Sequence, residues 1–184
     1  MFAKPATFAA ICALFMAPPA CAREAGASAS GIATANVISP LTATAVAELD
    51  FGTVAVALAQ GGTVIVRPGT AGAHYTGSAR QACQSGPSCA TPHPALFRVG
   101  GEAGRNYLVS VPVQAIARPD GGSGESLPVD DLVVRSASRP TEGAVGRLGA
   151  DGQDRFEIGG TIHIPAGAPP ASYSATVAVV LTYG

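Results

Sequence analysis

The sequence predicts an all-β fold, an antiparallel sandwich of about seven or eight strands, and three observations predict it. Apolar residues recur with period two in several separate stretches, the pattern of a strand with one face on a core: Tyr107, Val109, Val111 and Val113; Phe156, Ile158, Gly160, Ile162 and Ile164; and Tyr173, Val177, Val179, Leu181 and Tyr183. Turn residues separate these stretches, among them Gly61-Gly62, Asp151-Gly152 and Gly167-Ala168-Pro169-Pro170. No stretch shows a helical period bounded by caps.

Before the strands comes a leader-like segment. Lys4 supplies a positive charge, Phe8 to Met16 is a short apolar run, and Ala20 and Ala22 stand in an A-x-A pattern, which predicts a secretory signal peptide over 1–22. The run is too short to span a bilayer, and no comparable run follows, so no transmembrane anchor is expected. A lipoprotein reading would use Cys21, but Pro18 and Pro19 occupy the positions where an aliphatic and a small residue are needed. Removing the first 22 of 184 residues leaves 162, enough for one domain with a single core. Lys4 is the only lysine, so ten arginines then face twelve acidic residues and the net charge is about −2. With no basic block, a nucleic-acid partner is not expected. The absence of further lysines also excludes covalent polymerisation through a lysine side chain.

The elements follow in order. "REAGASASGIATANV", residues 23–37, is small and polar and reads as a flexible arm, with Ile32 and Val37 its isolated apolar residues. The folded domain is expected over 38–184. "ISPLTATAVAELDFGTVAV" is β-rich, with Pro40 restricting its start to an edge or an interrupted strand, and "GGTVIVRP" is a second run. "GTAGAHYTGSARQACQSGPSCATPHP" reads as a long loop. Strands resume at "ALFRVGG", with Phe97 and Val99 on one face, and at "NYLVSVPV"; "RPDGGSGES" is a turn or hairpin tip. "LPVDDLVVRSAS" is a strand with poorer alternation, and "RPTEGAVGRLGADGQD" a glycine-rich loop. "RFEIGGTIHIPA" and the closing "SYSATVAVVLTYG" are each read as one strand, the last as a core strand. There is no internal repeat and no sign of a second domain.

Cys83 and Cys89, in "CQSGPSC", are expected to form a loop-closing disulfide in an exported protein, worth a little under ~3 kcal/mol for so short a ring. His74 and His93 flank them and could complete a zinc set, but structural zinc sites pair cysteines at closer spacing and the disulfide competes. His163 falls on the polar face of its strand. Ser123 lies in "GGSGE", which lacks the second glycine of a nucleophile elbow. Asp130 and Asp131, adjacent on a strand, should point to opposite faces and so cannot share a substrate. "GAVGRLG" is not framed by the strand and helix of a phosphate loop. Tyr75 and His74 could form a small contact patch on the stapled loop. No catalytic residue, cofactor or metal is expected.

"ISPL" followed by "LDFG", then "GGTVIVRP", "FRVGG", "FEIGGTIHIP" and "YSATVAVVLTY", together resemble the DUF4402 family of exported bacterial proteins, over about Ile38 to Tyr183. Such proteins are similar to immunoglobulin-like pilin subunits, including the spore-coat-U-like pilins of chaperone–usher systems. The chain departs from that pattern at Ala171 and Ala175, where relatives often carry glycine around the tyrosine, and in its cysteine-stapled loop. The resemblance implies an immunoglobulin-like sandwich and a surface structural or adhesive subunit, located in the periplasm, on the cell surface in a fimbria, or outside the cell. It also implies self-association and a periplasmic chaperone and usher as partners. Assembly would proceed by β-strand addition, with residues about Ala25 to Val37 as donor. Ile32 and Val37 have opposite parity, so only one can enter a groove along a regular strand. The acceptor edge would include Tyr173, Val177, Val179, Leu181 and Tyr183, with Tyr183 standing where a pilin's penultimate tyrosine meets its chaperone. The alternatives are a self-complete monomeric sandwich that binds a ligand or envelope component, and an exported hydrolase, for which no site was found.

Overall fold

The computed structural model describes residues 34–83, 89–120 and 124–184; the leader and residues 23–33 of the arm, Ile32 included, lie outside the described residues. Among the described residues there is no helix and there are thirteen strands, paired antiparallel throughout. In chain order they are β1 (Thr42–Ala47), β2 (Val54–Ala55), β3 (Gly62–Val66), β4 (His74–Gly77), β5 (Arg80–Gln81), β6 (Ala95–Gly100) and β7 (Asn106–Ser110). There follow β8 (Gln114–Pro119), β9 (Leu127–Ser136), β10 (Val145–Arg147), β11 (Gln153–Ile164), β12 (Tyr173–Ser174) and β13 (Val180–Tyr183). The count exceeds the expected seven or eight because several expected strands are broken and two expected loops contain short ladders.

The longest strand, β11, is also the most connected. One of its edges carries β9 from Phe156 to Ile162. The other is divided: Gln153 to Ile158 pair with β6, and Gly160 to Ile164 pair with β3. The resulting eight-stranded sheet runs β1-β6-β11-β9-β8-β12, with β3 and then β4 attached at the fork. A three-stranded sheet, β10-β7-β13, and a ribbon, β2-β5, complete the pairing. Residues Val37 to Gly184 make one compact unit.

The fork falls on Gly159-Gly160 because a side chain would block it. A Cβ at Gly159 would collide with the Val66 carbonyl oxygen and stand 2.7 Å from the Pro68 ring; one at Gly160 would stand 3.0 Å from Leu132. Across the β9 edge the register slips between Gly159 and Thr161, so Asp131 and Leu132 together oppose Gly160. Asp131 takes the left-handed conformation (φ 49°), which an aspartate tolerates better than most residues. This bulge also changes the inward parity of β9. Leu127 and Val129 are buried before it, Val134 and Ser136 after it, which is why this segment alternates poorly in sequence.

Burial follows the fork. One cluster includes Val99, Tyr107, Val109, Leu148, Phe156 and Ile158, between the β6–β11 half and the small sheet. Phe97 and Phe156, directly opposite in register, stack with centroids 4.9 Å apart. The second cluster includes Val64, Ala115, Leu127, Val129 and Ile162, below β3, β8 and β9. Leu132, beside the bulge, packs against both.

Several expectations need correction. The stretch after Pro68 is not wholly loop, since β4 pairs with β3 and β5 with β2. Its inward-facing residues are Ala73, Tyr75 and Ala79, which join the second cluster; two are small alanines and only Tyr75 is large, too little to show as periodicity. The glycine-rich stretch contains β10, whose Gly146 leaves room for the Tyr107 ring. "NYLVSVPV" is not one strand: β7 ends at Ser110, Pro112 has no N–H for a ladder, and Val113 is 92% exposed. The chain there leaves the small sheet and enters the large one as β8.

Gly159→Ala is expected to destabilise the protein by about 1–3 kcal/mol, because a backbone carbonyl and a proline ring cannot yield as a flexible side chain can. Urea unfolding of the variant against the parent measures it.

Candidate assembly edge

The C-terminal segment alternates as the sequence predicts, but it is two strands. Tyr173 and Ser174 form β12 on the edge of β8; Val180 to Tyr183 form β13 on the edge of β7; Ala175 to Val179 belong to no ladder. The segment thus passes from the large sheet to the small one, antiparallel to β7 and β8, which make the same passage through Val111, Pro112 and Val113. Period two survives the passage. Tyr173 and Val177 pack on the second cluster, and Val179, Leu181 and Tyr183 on the first. None of the five is fully buried, so the expectation of a continuous core strand gives way to a half-buried strap across both clusters.

The strap is an edge on both sheets. β12 ends the order of the large sheet and β13 that of the small one, so among the described residues neither has a strand partner on its outer side. Apolar side chains face outward here. Val180 is 56% exposed, and Leu108, opposite Thr182, is 41% exposed. Nearby on β8, Ile116 is also exposed.

Tyr183 is tied inward. Its hydroxyl donates to the Ser39 carbonyl at 2.7 Å and accepts from the Glu102 N–H at 2.7 Å. Ser39 N–H in turn donates to the Glu102 carboxylate at 3.1 Å, and the Arg105 guanidinium lies 5.1 Å from the Tyr183 ring centre. The C-terminal strand, the residues before β1 and the β6–β7 turn therefore meet on one phenol. Its register partner Tyr107 is buried against Gly146 and donates to Asp154 at 2.8 Å. Burial first, then the hydrogen bond and charge of Asp154, hold the Tyr107 hydroxyl protonated far above the ordinary tyrosine range.

The remaining sites singled out in the sequence are dispersed. Cys83 and Cys89 are disulfide-bonded, with Cα atoms 5.5 Å apart. The stapled loop is held at both ends against one segment, by β5 on β2 and by Asp50 and His93, which exchange two backbone hydrogen bonds of 3.0 and 2.9 Å. His74 is exposed on β4 opposite Ile65. The histidines and the bonded cysteines do not gather, and among the described residues no group of three His, Cys, Asp or Glu side chains is placed to hold a metal. Val37, of the arm, is 92% exposed. Ser123 lies outside the described residues.

His163 does have a partner that the strand pattern did not reveal. Its Nε2 is 2.9 Å from Asp130 Oδ1, beside an open cleft of about 440 Å³ lined in part by Thr63, Glu125, Ser126, Pro128 and His163. Thr63 Oγ1 is hydrogen-bonded to Thr76 Oγ1 at 2.5 Å, and among the described residues no nucleophile is hydrogen-bonded to the imidazole. The pair bridges two strands at the surface, where such contacts add little stability. Asp131 sits in the bulge, so the strand geometry expected for the two aspartates does not apply to it.

Compared with known families, residues 41–183 match the model of the family described as Domain of unknown function (DUF4402), and the chain belongs to that family. No curated protein and no solved structure matches the chain.

Tyr183→Phe is expected to cost about 1–2 kcal/mol, since it strips a donor from Ser39 and an acceptor from Glu102 at a partly buried site. Chemical denaturation gives the value. Removing residues 177–184 takes away most of the strap, including four of its five inward residues, and is expected to abolish the cooperative thermal transition. Replacing Cys83 and Cys89 with serine should lower stability by less than ~3 kcal/mol and leave that transition cooperative.

Proposed function

We propose that this DUF4402 protein is an exported structural subunit, without catalytic activity, that assembles non-covalently at the cell surface by β-strand addition. One observation carries the reading. The outer backbone edge of β13 has no strand partner among the described residues, and apolar side chains are exposed on it and on the strand beside it, Val180 on β13 and Leu108 on β7. A row of free N–H and C=O groups beside apolar contacts is what an added strand needs: the backbone supplies affinity and the side chains supply register. The donor is the arm from Ala25 to Val37 of another copy, and a periplasmic chaperone and usher would protect and order the edge before assembly. Tyr183 contributes by position. Its side chain is committed to Ser39 and Glu102, which holds the strand in place while the outer edge stays open.

A second reading, a self-complete monomer that binds a ligand or envelope component, draws on the same tyrosine. A C-terminal strand latched to two other segments and packed on both core clusters is consistent with a domain that needs no added strand.

Deleting residues 25–37 separates the two. A polymerising subunit is expected to show a ladder of SDS-resistant oligomers in unheated samples and to lose it on deletion. If the full-length chain, purified without a chaperone, is a stable monomer whose melting temperature the deletion leaves unchanged, the assembly reading fails.

A further inference from the structure

On the outward face of the large sheet, away from the β12–β13 edge, arginines crowd together. Arg155 of β11 lies directly opposite Arg98 of β6. Glu157, two residues along on the same face of β11, lies opposite Arg135 of β9, so Arg135 is the diagonal neighbour of Arg155. Arg98 and Arg155 are exposed and Arg135 is half-buried. Among the described residues the ion pairs are Arg139 with Glu142 and His163 with Asp130, so none of these three guanidiniums is paired.

Like charges set directly opposite on neighbouring strands destabilise a sheet. They are unexpected in a chain whose acidic residues outnumber its basic ones and could have supplied a partner. The one carboxylate in the patch is partly occupied, since Glu157 Oε2 accepts the Gly69 N–H at 2.5 Å. That turn also braces Arg135: a Cβ at Gly69 would come within 2.9 Å of its guanidinium. Between these groups is a cleft of about 210 Å³ lined by Leu96, Arg135, Ala137, Arg155, Phe156 and Glu157.

We propose that the Arg98–Arg155–Arg135 patch is a binding site for a phosphate group. Three planar forks, two on residues directly opposite in register and two, Arg135 and Arg155, lining the cleft, match the several acceptor oxygens of a tetrahedral dianion and would pair with it through charge-assisted, bidentate bonds. A bound dianion relieves the repulsion between Arg98 and Arg155 that the free protein carries. Inorganic phosphate and a sugar phosphate present this dianion; the headgroup of an anionic phospholipid presents the same tetrahedral group as a monoanionic diester with two free oxygens. This site is independent of the assembly edge, and neither proposal stands or falls with the other.

The test uses the full-length protein at low ionic strength, titrated calorimetrically with inorganic phosphate and, separately, with vesicles of phosphatidylglycerol. Phosphate is expected to bind and to raise the melting temperature. R98A/R155A should weaken binding by about tenfold or more, while its melting temperature in phosphate-free buffer is unchanged or higher, because a repulsion is removed. Glu157→Gln should tighten binding, a result a purely structural patch would not give, and R139A should bind as the parent does. Vesicle binding lost in R98A/R155A assigns the phosphate to a lipid headgroup; phosphate binding without vesicle binding assigns it to a soluble or saccharide-borne group. No phosphate binding by the parent, or equal binding by parent and R98A/R155A, overturns the proposal.

Discussion

Two strands approach β11 along the same edge, and Gly159 leaves room where they meet by carrying no side chain. β6 leaves β11 at Ile158 and β3 joins it at Gly160. At that point the Val66 carbonyl and the Pro68 ring come into the volume a Cβ would fill. The opposite edge answers with the Asp131–Leu132 bulge, which increases the local twist and re-aims the β9 side chains. The two core clusters, the joint packing of Leu132 and the change of parity along β9 follow from this crowding.

The second constraint is the paired passage between sheets. β7–β8 and β12–β13 run antiparallel and cross from one sheet to the other together, which lets the C-terminal strap close both clusters while remaining an edge. An edge of this kind needs fastening, because half-buried residues alone hold it weakly. Tyr183 fastens it to Ser39 and Glu102, and Tyr107 beneath it is fixed by Asp154. Inner side chains are thus committed to the fold and the outer backbone has no strand partner among the described residues, the division of labour on which the proposed strand addition rests.

Much of this was legible where burial imposes period two. Phe156, Ile158 and Ile162 were read as one face and are buried; Phe97 and Val99 likewise share an inward face; the disulfide was expected from two nearby cysteines around a turn. Pro40 restricts its run to an edge or an interrupted strand, and β1, which begins two residues later, lies at the end of the large sheet. Legibility failed where a ladder is short or bent. Tyr75 alone marks β4, Gly146 marks β10 by lacking a side chain, and the continuous alternation through Val111 and Val113 concealed a change of sheet. The His163–Asp130 contact and the arginine patch joined residues far apart in sequence, with no local signal to connect them.

The sequence by itself determined the all-β class, the inward faces of most strands, the stapled loop and the family, because each rests on local spacing or on an ordered set of short motifs. Only the tertiary structure decided which strands are neighbours, where the sheet divides, which strands end each sheet among the described residues and which charges face each other. Those depend on register between distant segments, and register is set by the volume available at contacts such as Gly159 against Val66 and by hydrogen bonds such as Tyr183 to Ser39. Periodicity along one strand carries no information about either.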